Sequence, residues 1–195
     1  MSKHFIFNKL YKMSFVLLFS LFIVYCSNST ETVQNINTPN VSSPVEIYLI
    51  DSLDDSRKYC LDILGYKDNA DVNKGLQSHS CYSYQGAVSI DQGFDKELIS
   101  EKEFYIPHFK VCMEASSLKV STNLKLEKCD HNKLQNFEWS NKNEIRLISN
   151  RKLCLTVGQE QSKKGGGGTP VHLMRKLSLE LCNESLNTYQ AWSVR

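Results

Sequence analysis

The feature that most constrains the fold of this 195-residue chain is an internal repeat built on cysteine. Three segments begin with lysine, an apolar or aromatic residue, cysteine and a second apolar residue, at 58–61, 110–113 and 152–155. Each is followed by a polar loop and another cysteine, and each unit ends with Gln, any residue and an aromatic residue, at 92–94, 135–137 and 190–192. Because one such unit cannot bury its own apolar face, three in series predict a single domain with a shared core.

Apolar residues within the units come in short bursts, such as 104–106, 124–126 and 145–148. These bursts have the length and the alternating character of β-strands, and no stretch after residue 45 keeps a helical period. The sequence therefore predicts an all-β domain over 45–195, made of three repeats of about 40–50 residues and beginning with a strand near 45–50.

The N-terminal residues have the order of an export signal. Lys3, Lys9 and Lys12 precede an uncharged, mostly apolar run of 13 residues that ends at Tyr25. A membrane-spanning helix needs about 20 residues, so the run is better suited to a signal peptide over 1–25 than to a transmembrane anchor. A buried helix or a short anchor is the alternative. Residues 26–44 are rich in Ser, Thr and Asn and predict a flexible linker.

Seven cysteines are present, and six of them lie in the predicted domain. An even set in an exported protein indicates disulfides, although six cysteines allow 15 connectivities. The seventh, Cys26, closes the apolar run and resembles the lipidated cysteine of bacterial lipoproteins, although Tyr25 stands where a small residue is usual. We expect an outer-membrane or cell-surface location if Cys26 is lipidated. The alternatives are a secreted or periplasmic protein, or a signal that stays uncleaved.

Charge and motifs exclude several functional classes. Three of the 23 basic residues precede Cys26, which leaves 20 against 21 acidic residues, a net charge of −1 for the rest of the chain. No basic run with interleaved aromatics points to nucleic acid. No HExxH, CxxC, Gly-x-Ser-x-Gly or phosphate-loop motif is present, so we predict neither an enzyme nor a metal or cofactor site. Asp54 and Asp55 are interpreted as a solvated pair at a strand edge.

The repeat resembles that of the ricin B-type lectins, a β-trefoil family. The shared pattern is an apolar residue, Cys, an apolar residue and Asp, then a second Cys and a final Gln-x-Trp. The resemblance implies a structural core formed by Phe94, Phe137 and Trp192. It also implies disulfides within each repeat, which would join Cys60 to Cys81, Cys112 to Cys129 and Cys154 to Cys182. In the third repeat Lys176 stands where the second Cys is expected, so either this repeat carries an insertion or its register slips.

The same resemblance implies a carbohydrate-binding site in the first repeat. Its members are an acceptor carboxylate, a stacking group and amide-bearing residues, at Asp62, Gln77, His79, Asp91 and Gln92. Asp91 stands where Asn is usual, and turn capping is the alternative role for both aspartates. The other repeats carry Glu114 and Thr156 at the carboxylate position, and in one register Met174 takes the stacking position of the third repeat. We expect both of these copies to be structural.

The function implied is that of a non-catalytic carbohydrate-binding protein, with glycans or glycoproteins as partners. Membrane contact is expected only through an N-terminal lipid on Cys26. The alternative is a β-trefoil that binds protein, as an adhesin or partner subunit, and whose sugar sites have degenerated.

Overall fold

A computed structural model gives the structure of the chain, and it describes residues 43–195. The predicted signal peptide, Cys26 and all of the predicted linker except Ser43 and Pro44 lie outside these residues. No helix within 43–195 is long and apolar enough to cross a membrane.

The described residues form three repeats of four strands. The first contains β1 (Val45–Leu49), β2 (Tyr59–Ile63), β3 (Leu76–Ser80) and β4 (Gly93–Phe94). The second contains β5 (Tyr105–Ile106), β6 (Val111–Ala115), β7 (Leu124–Glu127) and β8 (Phe137–Trp139). The third contains β9 (Ile145–Leu147), β10 (Leu153–Val157), β13 (Leu177–Leu181) and β14 (Trp192–Val194). Two short helices, α1 (Lys96–Ser100) and α2 (Asn187–Gln190), flank β4 and β14. The all-β prediction is confirmed.

The outer strands of the repeats close into a six-stranded barrel. Direct pairing joins β1 to β4, β8 to β9 and β14 to β1. The remaining neighbours are joined by a bond from the Asp95 N–H to the Tyr105 carbonyl and by the bridges Glu103 to Asn136 and Glu144 to Ala191. The inner strands form one hairpin in each repeat: β2–β3, β6–β7 and β10–β13. The barrel strands thus have no free edge.

Alternation along the inner strands decides which side chains enter the core. In β2, Tyr59, Leu61 and Ile63 are fully buried in the central apolar cluster. Cys60 and Asp62 are the intervening residues, so they lie on the opposite face of the strand. The residues predicted for the core, Phe94, Phe137 and Trp192, are each 0% exposed and belong to the same cluster.

Three disulfides link the second residue of the second strand of each repeat to a cysteine one or two residues after the third strand. They join the pairs that the resemblance implied, Cys60–Cys81, Cys112–Cys129 and Cys154–Cys182. The third repeat keeps its register, because β10 pairs with β13 from Leu153↔Leu181 to Val157↔Leu177.

An insertion, rather than a slip of register, separates the two cysteines of the third repeat. The insertion, residues 158–176, forms a second hairpin from β11 (Lys163–Lys164) and β12 (Leu173–Arg175). Strand β12 pairs with β3 of the first repeat, with Met174 opposite His79. The placement of Met174 at the stacking position of the third repeat is therefore wrong. That position, opposite Cys154, belongs to Glu180.

Candidate functional site

The β2–β3 hairpin places three of the predicted site residues on one face. Asp62 lies opposite Gln77, and Cys60 lies opposite His79. Directly opposed residues of an antiparallel pair project to the same side, so the carboxylate, the amide and the imidazole share the face that is turned away from the core. This face carries the Cys60–Cys81 disulfide as well.

Asp62 is held by two amides and is almost completely buried, at 1% exposed. Its two carboxylate oxygens accept from Gln77 Nε2 and Gln92 Nε2, each at 2.8 Å. Burial, more strongly than any neighbour, raises the pKa of Asp62 well above its usual value, against the lowering effect of the Gln77 hydrogen bond. Nearby Asp91 raises it further. The carboxylate therefore orients the two amides from beneath the surface.

Gln92 ties together the chain segments around Asp62. Its Nε2 also donates to the carbonyl of Ser80 at 3.1 Å, and its Oε1 accepts from the N–H of Tyr82 at 3.0 Å. Asp91 is equally buried; one of its carboxylate oxygens accepts from the N–H of Lys67 at 2.7 Å and the other from the hydroxyl of Ser89. Asp91 thus connects two loops through hydrogen bonds, which agrees with the turn-capping role that the sequence offered as its alternative.

The same glutamine arrangement recurs in all three repeats. Gln135 Nε2 donates to Glu114 at 2.8 Å and to the Lys128 carbonyl at 2.9 Å. Gln190 Nε2 donates to the hydroxyl of Thr156 at 2.9 Å and to the Leu181 carbonyl at 3.0 Å. Because the arrangement persists where the carboxylate has been replaced by Thr, the glutamine primarily holds the repeat together.

The insertion covers the predicted site of the first repeat and divides it. Met174, opposite His79 on β12, lines two neighbouring cavities. One, of about 440 Å³, is lined by Gln77. The other, of about 370 Å³, is lined by His79. The structure therefore brings the five predicted residues together, but Gln77 and His79 line two different cavities.

We call the cavity beside His79 the first-repeat pocket; its walls include Tyr66, His79, Tyr82, His172, Met174 and the glycines at 166–168. His79 Nδ1 lies 3.0 Å from the Ser80 carbonyl, which can only accept, so Nδ1 carries the proton of the neutral ring and Nε2 is an acceptor. Burial lowers the pKa of His79 to about 4, so the ring is neutral at pH 7. The pocket thus combines aromatic walls with a fixed hydrogen-bond acceptor.

His172 brings a second imidazole from the insertion into the same pocket. Its ring centroid lies 5.2 Å from that of His79 and 4.9 Å from that of Tyr82. Its Nε2 is 2.8 Å from the hydroxyl of Tyr84, whereas its Nδ1 is buried and has no hydrogen-bond partner among residues 43–195. Burial lowers the pKa of His172 as well. Gly168 has a φ of +80°, and a Cβ there would lie 2.6 Å from the His172 ring, so the loop needs glycine at this point.

An ionic clamp fastens the insertion to the first repeat. Arg57 donates to the carbonyls of Pro170 and Val171 at 2.8 and 2.9 Å and pairs with Asp55 at 2.8 Å. Asp55 also accepts from Ser80 Oγ, which in turn accepts from the N–H of Leu173 at 2.7 Å. Asp55 is only 5% exposed, so its interpretation as a solvated residue was wrong. The reason is partly long-range, because Ser80 comes from β3 and both Ser80 and Arg57 are in turn bonded to the insertion.

Asp54 completes the clamp on the other side of the hairpin. It accepts from Arg175 at 2.8 Å, from the hydroxyl of Ser162 at 2.6 Å and from the hydroxyl of Tyr59 at 2.7 Å. Partial burial opposes its ionisation, but these hydrogen bonds together hold the pKa of Asp54 below its usual value. Asp54 and Asp55 therefore both help to attach residues 158–176 to the first repeat.

Comparison with solved structures identifies the fold of this chain. The C-terminal domain of an earthworm lectin, a mutant in complex with 6'-sialyllactose, matches with a TM-score of 0.53 and 15% identity, over 78% of this chain and 98% of that chain. The C-half of the earthworm R-type lectin, in complex with GalNAc, matches with a TM-score of 0.53 and 13% identity over the same shares. The agglutinin from Abrus precatorius matches with a TM-score of 0.51 and 10% identity, over 80% of this chain and 48% of that chain. The chain has the β-trefoil fold of these lectins. No family model and no curated protein matches its sequence.

The other two repeats of the trefoil lack the combination of a buried aspartate, a histidine and aromatic walls that the first repeat has. In the second, Glu114 accepts from Lys125 at 2.9 Å, from Asn132 at 2.9 Å and from Gln135, so its carboxylate is fully engaged. In the third, Thr156 and Glu180 occupy the positions of Asp62 and His79. A cavity of about 420 Å³ borders the third-repeat positions, but its walls contain neither an aromatic ring nor a histidine.

Sequence reasoning missed Tyr66 and Tyr82, and it considered His172 only as a neighbour of Met174 in the third repeat. Tyr82 directly follows Cys81, and Tyr66 lies in the loop after β2, so both were within reach of a search for aromatic residues near Asp62. His172 carried no such signal, because it is distant in sequence and reaches the first repeat only through the pairing of β12 with β3.

Proposed function

We propose that this protein is a non-catalytic carbohydrate-binding protein whose sugar site is the first-repeat pocket. The observation that supports the proposal is the set of groups at that pocket: aromatic rings from Tyr66 and Tyr82, and the Nε2 acceptor of His79. A sugar presents an apolar C–H face and a rim of hydroxyls, so it needs an aromatic wall and a few fixed polar groups. The β-trefoil lectins with sugars bound support the same function.

In this proposal Asp62 is a positioning residue. Its carboxylate lies beneath the surface and holds Gln77 and Gln92. The sugar would contact His79, the tyrosines and the insertion. Affinity and specificity would therefore depend on residues 166–174 as well as on the first repeat.

A glycan array tests the proposal with three proteins: wild type, Tyr66→Ala and His131→Ala. Tyr66 is 52% exposed, so its truncation leaves the core intact. His131 is a matched surface control in the second repeat, with a side chain 77% exposed. We expect binding to a related set of glycans that Tyr66→Ala weakens at least about tenfold and His131→Ala leaves unchanged. Equal binding by all three proteins would place the sugar site elsewhere.

The covering of the site by Met174 favours a second candidate, a trefoil that binds protein through its surface. Folded wild-type protein that binds no glycan on the array would make this candidate the better account.

We propose further that the chain is exported and, if Cys26 is lipidated, anchored at the membrane by that lipid. Three disulfides support the export proposal, because they form and persist in oxidising compartments. Mass spectrometry of the N-terminus of protein purified from cells provides the test. A mature chain that begins at a lipid-modified Cys26 is the expected result, and an unmodified N-terminus within 27–44 would indicate ordinary secretion.

A further inference from the structure

A second cavity, separate from the first-repeat pocket, lies at one end of the barrel. This barrel-mouth pocket has a volume of about 580 Å³ and lies between α1 and the ends of β8 and β14. Binding sites for small ligands typically occupy roughly 300–1,000 Å³. It shares no lining residue with the first-repeat pocket or with the clamped insertion.

The repeat itself shows why the pocket lies on the axis of the trefoil. Lys96, Trp139 and Val194 each stand two residues after the aromatic residue that closes a repeat. All three line the barrel-mouth pocket. One repeat thus contributes a cation, one an indole and one an aliphatic side chain, so the pocket is chemically asymmetric although its frame has three-fold repetition.

Trp139 supplies an aromatic wall. Its ring stacks on the buried ring of Phe104, with centroids 6.1 Å apart and an interplanar angle of 21°. The indole is partly exposed, and its N–H has no acceptor in the described part of the chain. The other tryptophan, Trp192, is 0% exposed and donates its N–H to the Leu155 carbonyl at 2.9 Å. Trp139 is therefore the indole that is free to meet a ligand.

The charge at the pocket is positive. Both carboxylate oxygens of Glu138 accept from the guanidinium of Arg151, which neutralises the one acidic residue among the lining side chains. Lys96 and Lys102 are exposed and form neither an ion pair nor a side-chain hydrogen bond with any residue from 43 to 195. Two ammonium groups therefore stand beside a flat apolar wall.

Two neutral polar residues add hydrogen-bonding capacity. Asn143 and Ser193 line the same pocket. An amide and a hydroxyl can both donate and accept, as ring hydroxyls require. An indole face, two ammonium groups and these residues together match a sugar ring that carries a carboxylate.

We propose that the barrel-mouth pocket binds an acidic saccharide, with the sugar ring against Trp139 and its carboxylate at Lys96 and Lys102. The site is independent of the proposed first-repeat pocket. A protein with both sites would hold one glycan through its first repeat and an acidic polysaccharide through its barrel mouth.

Intrinsic fluorescence of the full chain tests the proposal, because the chain has two tryptophans and both line the pocket. Trp139 is partly exposed, whereas Trp192 is 0% exposed, so a bound ligand should act mainly on Trp139. The probes are methyl β-D-glucuronide and its uncharged counterpart, methyl β-D-glucoside. We expect a saturable change in Trp139 emission with the glucuronide and binding at least about tenfold weaker with the glucoside. Added salt should weaken the glucuronide response, since the lysines are exposed to solvent.

Three variants separate the possible outcomes. Trp139→Phe should abolish the fluorescence response, and Lys96→Gln with Lys102→Gln should weaken glucuronide binding at least about tenfold without changing the thermal midpoint. Tyr66→Ala should leave the response intact, which distinguishes this site from the first-repeat pocket. Equal responses to the two glycosides, a response that survives the lysine substitutions, or no saturable response would each overturn the proposal.

Discussion

Replacement of Arg57 by methionine should release the insertion from the first repeat. The guanidinium makes two hydrogen bonds to insertion carbonyls, at 2.8 Å to Pro170 and 2.9 Å to Val171. Hydrogen bonds that involve a charged group contribute about 1.5–3 kcal/mol each. The carbonyls lie where water can replace the lost donor, so the lower end of that range applies. We therefore expect the docked insertion to lose about 3 kcal/mol.

The same change leaves Asp55 without its cation. Asp55 is 5% exposed, and removal of one partner from a buried ion pair costs about 3–5 kcal/mol. Part of this loss should appear as reduced global stability, and the rest as local opening of residues 158–176. A loss of about 3 kcal/mol from the docked state corresponds to local opening that is at least about a hundredfold more frequent.

Hydrogen exchange at individual amides measures the local effect, and the Leu173 N–H is the most informative probe because it donates to Ser80 Oγ. Arg146→Met is the matched control. Arg146 forms a comparable pair with Glu144, which is 6% exposed, but it contacts no residue of the insertion. If Leu173 exchanges equally slowly in both variants while both lose global stability, Arg57 does not hold the insertion and the reasoning fails.

Three further outcomes follow from the same contacts. The free energy of unfolding of the wild type should fall as the pH drops from 6.5 towards 4, because His79 in the unfolded chain binds a proton that the neutral, folded ring does not. His79→Phe should remove up to about 3 kcal/mol of this fall. Urea denaturation at each pH measures both values. Gly168→Ala should displace His172 and lower affinity for any glycan found on the array, with little change in the thermal midpoint; unchanged affinity would show that the loop adapts. Gln135→Leu should cost roughly 3 kcal/mol in urea denaturation, because it leaves Glu114 and two backbone groups with fewer partners, and a loss below about 1 kcal/mol would contradict the structural role.

The parts of the fold that could be predicted are those whose sequence pattern occurs in all three repeats. The Cys-containing strand starts and the Gln-x-aromatic endings recur with the same local pattern, so errors in one copy are corrected by the others. Period-two alternation within β2 then separates Tyr59 and Leu61 from Cys60 and Asp62 without any knowledge of tertiary structure. Asp62, Gln77 and His79, by contrast, were predicted only through the resemblance to ricin B-type lectins.

The parts that could not be predicted depend on contacts between distant segments. Nothing local to Asp55 shows that Ser80 on β3 will donate to it, or that its neighbour Arg57 will be engaged by the insertion. Likewise, residues 169–174 resemble the approach to a second cysteine in their own repeat, at the position of Lys176, until β12 pairs with β3, a contact almost a hundred residues apart in sequence. The prediction of Asp62 as the acceptor carboxylate likewise did not foresee that it would be 1% exposed, with its two oxygens held by Gln77 and Gln92.

Strand β3 provides the edge on which the insertion pairs. In residues 43–195 the corresponding edge of the second repeat, β7, pairs in a ladder only with β6, whereas the edge of β3 is extended by β12 and β11. An uncovered edge strand invites pairing with other chains, so the added hairpin protects the first repeat. The same pairing seats Met174 opposite His79 and brings His172 to the pocket wall. The same pairing therefore covers the edge of β3 and forms part of the pocket wall, and a variant that frees the insertion should expose β3 as it opens the pocket.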